Sequence, residues 1–272
     1  MTRARDPAPL VSMPLAARRA VRGVLTDIDD TLTTHGRLTP EAYAAMARLT
    51  DAGLWVIPVT GRPAGWCDHI ARMWPVAAVV GENGALWMRY DDTHHRLVKR
   101  FLDDEATRAR NRMRLAAIAH EIVAAVPGCA VASDQGYRET DLAIDFCEDV
   151  APLPRTDVER IVALMQAHGM TAKVSSIHVN GWFGRYDKLS MARTLLADAF
   201  AIDLDGERAR FVFVGDSPND APMFDYFPLS VGVANVRGFL DRIATPPAFI
   251  TTGEAGRGFV ELARALLEAR EA

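Results

Sequence analysis

Short apolar runs that end in polar residues recur along the chain, and segments with helical periodicity separate them. The runs are VRGVLTDIDD, GLWVIPVTGRP, PVAAVVGENG, ARFVFVGDSPND, PLSVGVAN and PPAFITTG. Because they are apolar throughout and do not alternate, they indicate strands that are covered on both faces, as in a parallel sheet. Between the first two runs, Thr39 is a candidate N-cap, Pro40 is suited to the first helical turn, and Gly53 follows the predicted helix. Strands alternating with helices predict an α/β fold with a doubly wound, Rossmann-like parallel sheet.

The middle of the chain has a different pattern, which predicts a second domain. Residues 86–183 contain several short strand-like runs and two helical segments, at about 105–126 and 156–168. We interpret them as an α+β cap domain inserted into the sheet domain, whose two parts are residues 21–85 and 184–272. Residues 1–20 contain arginines but no sustained apolar run, so we expect a disordered leader and not a secretory signal.

The amino-acid composition argues against several kinds of binding partner and environment. Of the 272 residues, 49% are hydrophobic and 24% are charged, and the net charge is −4, so nothing favours a nucleic-acid partner. No apolar run approaches the ~20 residues that a membrane-spanning helix needs. The three cysteines, Cys67, Cys129 and Cys147, are scattered and form no CxxC, so we expect neither disulfides nor a zinc site. This cysteine usage predicts a reducing, cytoplasmic location, and the oligomeric state stays open.

Polar residues follow the predicted strands, and they are the candidates for a functional site. In open parallel sheets, ligands bind beyond the carboxyl ends of the strands, where such residues converge. Lys188, at the start of the helix that follows the insert, is a further candidate because a helix N-terminus favours anions. The strand-end candidates are Asp27 and Asp29 after the first run, Thr60, Gly61 and Arg62 after the second, Glu82 and Asn83 after the third, and Asp216, Asn219 and Asp220 after the fourth.

This collection of side chains suits phosphoryl transfer. Several carboxylates around one point form an oxygen site that suits Mg²⁺ and relieves their mutual repulsion. One carboxylate can attack phosphorus and form an aspartyl-phosphate. A second carboxyl group two residues along the chain can protonate the leaving oxygen and later activate water. A lysine, a threonine hydroxyl and backbone N–H groups can bind the remaining phosphate oxygens.

The motifs resemble those of the haloacid dehalogenase superfamily. DIDDTLT, VTGRP, the Asp187-Lys188 pair and VGDSPND are similar, in order and spacing, to its four motifs. GENGA, placed between the second motif and the insert, resembles subclass IIB, which has a large α/β cap. That subclass includes Cof-type, sucrose-phosphate, trehalose-phosphate and mannosyl-phosphoglycerate phosphatases.

The resemblance implies a role for each matching residue. Asp27 matches the nucleophile and a metal ligand, and Asp29 matches the general acid/base, whose backbone carbonyl also binds the metal. Thr60 and Lys188 match the phosphate-binding pair, to which we add Gly61 and Asn219. Asp216 matches the metal ligand of the fourth motif, and Asp220 matches its second acid, either a ligand or a residue behind one. Asp30 matches no required role, and we expect a turn there.

Several residues remain open between two roles. Arg62 belongs either to the site or to a structural ion pair. Glu82 and Asn83 either shape the crossing into the insert or contact substrate. His178 and Trp182 either line the substrate cleft or pack within the cap. Glycines near both crossings, Gly81, Gly84, Gly181 and Gly184, lead us to expect a cap that moves as a lid.

The leading hypothesis is a Mg²⁺-dependent phosphomonoesterase that acts on a small phosphorylated metabolite, with a sugar phosphate as the favoured substrate. One alternative is a phosphomutase of the same superfamily, although TGRP resembles the hydrolase pattern more. The other is a non-enzymatic receiver-like module that is phosphorylated on aspartate, but receivers are shorter and lack both the cap and a counterpart of Asp29. The sequence does not identify the substrate.

Overall fold

A computed structural model of the protein describes residues 6–271. The strands are β1 (Ala8–Pro9), β2 (Gly23–Thr26), β3 (Thr33–Thr34), β4 (Arg37–Leu38), β5 (Trp55–Pro58), β6 (Val79–Gly81), β7 (Leu86–Asp91), β8 (Arg96–Phe101), β9 (Ala130–Val131), β10 (Asp141–Asp145), β11 (Thr171–Val174), β12 (His178–Trp182), β13 (Phe211–Gly215), β14 (Leu229–Gly232) and β15 (Phe249–Ile250). The α-helices are α1 (Leu15–Ala20), α2 (Pro40–Asp51), α3 (Ala64–Met73), α4 (Glu105–Ala125), α5 (Arg155–Ala167), α6 (Lys188–Phe200), α7 (Leu204–Glu207), α8 (Ala221–Tyr226) and α9 (Ala255–Glu271). Within this range, no helix combines the length and the apolar character that crossing a bilayer would require.

The main sheet is parallel and confirms the predicted fold class. Its strand order is β1-β15-β14-β13-β2-β5, and each neighbouring pair runs in the same direction. The central strands β2, β13 and β14 are buried along their whole length, as their unbroken apolar sequences predict. Two hydrophobic clusters cover the two faces of the sheet, one containing α2 and α9 residues and the other α6 and α8 residues.

A hairpin that we had placed in the cap belongs to the core instead. Strands β6, β7 and β8 form an antiparallel sheet, and a parallel bridge between Val59 and Val80 joins that sheet to the end of β5. The predicted domain boundary at residue 86 therefore falls too early, because Leu86–Phe101 pairs with β6. The alternating sequence of a hairpin gave no sign of which sheet it would join.

The cap is an antiparallel sheet with two helices on one face. The strand order is β11-β12-β10-β9, and α4 and α5 pack on it around a separate hydrophobic cluster. Along β12, Val179 belongs to that cluster, and a Cβ at Gly181 would meet Met165 of α5. Successive side chains alternate between the faces of a strand, so His178 and Asn180 face the opposite way, toward the core.

The predicted disordered leader is ordered over the residues that the structure describes. Strand β1 adds to the edge of the main sheet by pairing with β15, and α1 packs against α9. Leu10 and Met13 are buried in the core, at 3% and 1% exposure. A two-residue strand and a six-residue helix are too short to produce a recognisable periodicity, which explains the error. Residues 1–5 of the predicted leader lie outside the described residues.

Candidate active site

The carboxyl ends of β2 and β13 bring two aspartates together. Asp27 follows β2, and its backbone N–H donates to the carbonyl of Val214 in β13 at 2.9 Å. Asp216 follows β13 directly. Since β2 and β13 are adjacent, parallel and in register, the two carboxylates emerge side by side, as the strand-end rule predicts.

A buried lysine lies within this acidic cluster. Lys188 Nζ donates to Asp27 Oδ1 at 2.6 Å and to Asp220 Oδ1 at 2.7 Å. Carboxylate oxygens of Asp27, Asp216 and Asp220 all lie within 4.8 Å of one another. Lys188 is only 3% exposed, although it begins helix α6, because the capping box of Asp187 and Ser190 fixes the helix start against the site. We predicted that these four residues would meet, and the structure brings them together.

Burial and the interactions between charges shift the pKa values of the clustered side chains. Burial raises the pKa of Asp27 to about 7, with Asp220 and Asp29 adding to the rise and Lys188 opposing it. Burial also raises the pKa of Asp216 well above its ordinary value, and the charge of Asp27 contributes. The pKa of Lys188 is raised by Asp220 and Asp27, which outweigh the opposing effect of burial, so the ammonium stays charged. Asp27 and Asp216 therefore favour their protonated forms more than free carboxyl groups do, and a divalent cation beside them would favour the ionised forms.

The oxygens of the cluster are not equally available to a metal. Asp220 Oδ1 accepts from Lys188, and Asp220 Oδ2 accepts from the backbone N–H groups of Asp216 and Ser217 at 3.1 and 3.3 Å. Asp216 accepts only longer bonds, at 3.2 Å from Asn235 and 3.4 Å from Thr31. A donor set made only of oxygen fits Mg²⁺. Asp27 and Asp216 are best placed as ligands, whereas Asp220 orients the loop and Lys188.

Asp29 lies outside the acidic cluster and is paired with an arginine. Arg62 Nε donates to Asp29 Oδ1 at 2.9 Å and to Oδ2 at 3.1 Å. Arg62 is buried, and its pKa is raised because Asp29, and then Glu148, outweigh the effect of burial. The carboxylate of Asp29 is therefore turned away from a metal between Asp27 and Asp216. A metal contact through its backbone carbonyl stays a prediction.

The predicted phosphate-binding residues border the same point. Gly61 and Asn219 line a small cavity that Asp27 and Asp29 also line. Thr60 is fully buried, and its hydroxyl oxygen accepts from the backbone N–H of Arg62 at 3.0 Å, which leaves the hydroxyl proton available. Asn219 Oδ1 accepts from Ser217 at 2.7 Å, so the amide nitrogen of Asn219 remains to face the cavity.

The cap closes over this cavity. The cavity has a volume of about 10 Å³, which is about the space that one water molecule needs. A phosphate ester does not fit such a space, so substrate binding would require the cap movement that we expect from the glycines, and that movement stays a prediction. The lining residues are Asp27, Asp29, Gly61, Arg62, Ser217 and Asn219 from the core and Arg138, Ser175, Ser176, Ile177, His178 and Asn180 from the cap.

Ion pairs hold the closed cap to the core. Arg62 Nη2 donates to Glu148 Oε1 of the cap at 2.9 Å, and Glu148 Oε2 lies 2.8 Å from His178 Nε2. From the cap side, Arg138 Nη1 donates to the carbonyl oxygen of Gly61 at 2.9 Å while pairing with Asp134 and Asp141. Arg62 therefore belongs both to the site and to an ion pair, and His178 lies at the cavity.

Glu82 is a second link between core and cap. It is fully buried, and its carboxylate accepts from the backbone N–H groups of Ala64 and Glu139, each at 2.9 Å, and of Thr140 at 2.7 Å. Burial, and then repulsion from Asp141, raise the pKa of Glu82 to about 7. Of the two roles left open for Glu82, these contacts favour shaping the crossing, since it does not line the cavity.

Asn83 and Trp182 also lie off the cavity. Asn83 adopts φ 55° and packs its side chain against Gly61, where a Cβ would come within 3.2 Å. Trp182 is 1% exposed and stacks on Tyr186 at 5.5 Å between ring centroids. Both residues support the local packing around the crossings.

Three charged cap residues near the cavity, Asp134, Arg138 and Glu148, were not predicted from the sequence. They belong to a part of the chain where charges are frequent and no motif marks them. The one available signal was Arg62 itself, since an arginine that is buried beside Asp29 requires further carboxylates.

Comparison with known proteins agrees with this geometry. Residues 24–112 match the family described as haloacid dehalogenase-like hydrolase. No curated protein matches the chain. The C-terminal domain of trehalose-6-phosphate phosphatase from C. albicans shares 14% identity, with a TM-score of 0.72 over 98% of this chain and 99% of that one. Thermoplasma acidophilum 0175 shares 17% identity, with a TM-score of 0.66 over 91% and 98% of the two chains. The sucrose-phosphatase of Synechocystis sp. PCC6803 shares 15% identity, with a TM-score of 0.61 over 91% and 98%.

The family match and the fold agree with each other. Residues 24–112 are similar to the haloacid dehalogenase-like hydrolases. The solved structures share the fold over nearly the whole length of the chain, which confirms the predicted fold class.

Proposed function

We propose that the protein is a Mg²⁺-dependent phosphomonoesterase that acts on a small phosphorylated metabolite, a sugar phosphate, through an aspartyl-phosphate. The observation that carries this proposal is the pairing of Asp27 with Lys188 beside a cavity that Asp29 also lines. Two structural relatives, the C. albicans and Synechocystis enzymes, are named for sugar-phosphate substrates, which supports the choice of substrate class.

We assign the metal to Asp27 and Asp216, with the backbone carbonyl of Asp29 as a further predicted ligand and Asp220 behind them. Mg²⁺ bound there would supply positive charge that lets a phosphate dianion approach the carboxylates. The raised pKa of Asp27 supports this assignment, because an ionised nucleophile at neutral pH needs such a charge nearby.

In the proposed reaction, each residue of the site has one chemical role. A carboxylate oxygen of Asp27 forms a bond to phosphorus as the bond between phosphorus and the ester oxygen breaks, and Asp29 gives its proton to that leaving oxygen. Asp29 then takes a proton from water, whose oxygen attacks phosphorus and restores the Asp27 carboxylate. Lys188, the Thr60 hydroxyl and the amide of Asn219 bind the phosphate oxygens during both steps.

The test is the substitution Asp27→Asn, which keeps the shape of the side chain but removes the nucleophile. We expect turnover of p-nitrophenyl phosphate and of sugar phosphates to fall by at least about a thousandfold, with the fold intact by circular dichroism. Asp68→Asn, which removes an exposed carboxylate on α3, is the matched control and should leave turnover unchanged. Substantial activity in purified Asp27→Asn would refute the assignment.

Two further experiments test the requirement for Mg²⁺ and the phosphomutase alternative. Excess EDTA should abolish turnover, and added Mg²⁺ should restore it. A requirement for a bisphosphorylated sugar, with transfer of phosphate back to substrate, would favour the phosphomutase and reject our proposal.

A further inference from the structure

A second, open pocket adjoins the closed cavity. Its volume is about 360 Å³, within the usual range for small-molecule sites. One wall is the β3–β4 hairpin with His35 at its turn, and the other is the cap loop of residues 146–149 together with Ser176. Asp29, Arg62, Ser176 and Ile177 line both spaces, so the two are continuous. We call this second space the outer pocket.

The outer pocket lies on the leaving-group side of the proposed reaction. Asp27 lines the inner cavity but not the outer pocket, whereas Asp29 lines both. The acid has to reach the oxygen that joins phosphorus to the leaving group. With the phosphate held at Asp27, the rest of the ester therefore extends past Asp29 into the outer pocket.

Negative charge dominates the walls of the outer pocket. Asp29, Asp30 and Glu148 line it, and Arg62 is the one arginine or lysine among its lining residues. The guanidinium of Arg62 is already paired with three carboxylates, those of Asp29, Asp134 and Glu148. His35 is exposed at the rim. Among these described residues, no cation remains for an anionic substrate group, and such a group would meet like charge.

The fold holds Glu148 in this position. Asp145 Oδ1 accepts from the backbone N–H groups of Cys147 and Glu148, at 2.8 and 2.7 Å, and Asp145 Oδ2 accepts from that of Asp149 at 2.7 Å. These bonds shape the loop that presents Glu148. The nearby His178, and then Arg62, lower the pKa of Glu148 to about 2 against its partial burial, so the carboxylate remains charged.

Polar groups in the walls are available for hydroxyl groups of a substrate. Ser176 Oγ is buried and lies close to the Asp30 carboxyl group, but it makes no well-formed hydrogen bond among the described residues. A buried hydroxyl that lacks a well-formed hydrogen bond is unfavourable, and a ligand hydroxyl would satisfy it. Carboxylate oxygens of Glu148 can accept from ligand hydroxyls, which a carboxylate-bearing ligand could not offer at the same point.

Given the proposed phosphatase activity, on which the inference depends, we propose that the outer pocket binds an uncharged, hydroxyl-bearing leaving group and rejects one that carries a carboxylate. Glu148 is the residue that discriminates, and Ser176 binds a hydroxyl group of the accepted substrate. The enzyme thus prefers phosphates of neutral sugars or polyols to phosphates of sugar acids.

The test compares substrates that differ only by a carboxylate. Glucose 1-phosphate and glucuronic acid 1-phosphate form one pair, and glycerol 3-phosphate and 3-phosphoglycerate form another. With Mg²⁺ present, we expect kcat/KM to favour the neutral member of each pair by at least about tenfold, as like-charge repulsion at contact predicts. A compound that is not turned over is scored as an inhibitor of p-nitrophenyl phosphate hydrolysis, so each pair yields a ratio.

Variants assign the discrimination to residues. Glu148→Gln should lower the neutral-to-anionic ratio by at least about threefold, because it removes one like charge. Glu139→Gln, which removes a cap carboxylate that pairs with Arg112, is the matched control and should keep the ratio. A uniform loss of activity in Glu148→Gln does not affect the ratio. Ser176→Ala should raise KM for the neutral sugar phosphate by a larger factor than KM for p-nitrophenyl phosphate, whose leaving group offers no sugar hydroxyl to Ser176.

Salt offers a readout that needs no variant. The wild-type ratio should fall as ionic strength rises, because ions screen the repulsion. A ratio near one, or a preference for the anionic members, would overturn the inference while hydrolysis of p-nitrophenyl phosphate upheld the phosphatase. Absence of hydrolysis with every phosphomonoester would instead overturn the proposed function.

Discussion

At the scale of single residues, Lys188 explains how three buried carboxylates coexist. Its ammonium bridges Asp27 and Asp220, and both contacts are shorter than 2.8 Å. Breaking a buried ion pair on one side leaves an uncompensated charge, which is among the largest effects a substitution can have. Lys188 therefore stabilises the fold in addition to its proposed role in phosphate binding.

Lys188→Met should show this second role. We expect the free energy of unfolding at neutral pH without Mg²⁺ to fall by about 3–5 kcal/mol, because two buried carboxylates lose their counter-charge. Saturating Mg²⁺ should restore part of the loss, since the metal binds the native state. Urea unfolding with and without Mg²⁺ measures both effects.

Arg193→Met serves as the control for the same helix. Arg193 makes an exposed pair with Asp205, and its loss should change stability by less than about 1 kcal/mol. Equal stability of Lys188→Met and wild type in EDTA would contradict the structural role of Lys188.

Sequence patterns predicted individual residues well where a motif fixed them. Asp30 adopts φ 55° and so occupies the turn that we expected. The convergence of Asp27, Asp216, Asp220 and Lys188 also agrees with prediction. Glu148 was not predictable, because its partner Arg62 lies 86 positions earlier in the chain and neither residue indicates the other.

At the scale of elements, Gly84 ties the turn between β6 and β7 to the helix that carries Lys188. It adopts φ +107°, and a Cβ there would lie 2.0 Å from the carbonyl oxygen of Asp187. The turn before β7 and the chain that returns from the cap thus touch at backbone level. Of the glycines that we assigned to the crossings, Gly84 and Gly184 have positive φ, whereas Gly181 is paired inside the cap sheet.

Gly84→Ala should be far more disruptive than a glycine substitution elsewhere. Both the left-handed backbone and the clash with Asp187 oppose a side chain, so we expect a loss of more than about 3 kcal/mol in the free energy of unfolding. Gly53 has φ +78° but nothing within 4 Å of a Cβ, so Gly53→Ala isolates the backbone effect, about 1 kcal/mol. Thermal and urea unfolding of the two variants give the comparison, and equal losses would show that the contact does not matter.

Elements were predictable where local signals agreed. Helix α2 begins after the predicted N-cap Thr39, whose side chain accepts from the backbone N–H of Ala42, and it buries Ala42, Ala45, Met46 and Leu49. Helices α4 and α5 also lie where we placed them. The partner sheet of the β7–β8 hairpin depends on long-range pairing, which local sequence does not encode.

At the scale of the whole molecule, the closed cap is held by charge as well as by packing. The link between Arg62 and Glu148 joins the two parts directly above Asp29. Glu148 has a pKa of about 2 in the folded protein against an ordinary value of 4.5. A carboxyl group whose pKa falls on folding stabilises the fold above its unfolded pKa, and that contribution disappears as the pH drops toward the folded pKa.

The contribution of Glu148 should therefore depend on pH. Wild type should unfold at a higher temperature than Glu148→Gln near neutral pH, and this difference should shrink as the pH falls from about 5 to about 3. Scanning calorimetry of both proteins across that range is the measurement. A difference that grows on acidification, or stays constant, would contradict the role of Glu148 as an ionised link.

The overall architecture was largely predictable, because alternation of strands and helices and an inserted block leave clear patterns. The predicted edges of the two domains were wrong. The boundary at residue 86 and the expected disorder of residues 6–20 depend on strand pairings of two to six residues with distant partners.

Strand β1 has a consequence for how the edge of the main sheet is protected. Ala8 donates its backbone N–H to Ala248, so the nitrogen of Pro9, one residue on, faces away from the sheet, where it has no hydrogen to offer. A proline at that position discourages another chain from extending the sheet. Removing the first dozen residues would uncover the side of β15 and the apolar surroundings of Leu10. Shortened versions of this chain should then self-associate through the exposed edge of β15. By this reasoning, the N-terminal segment protects the protein against aggregation.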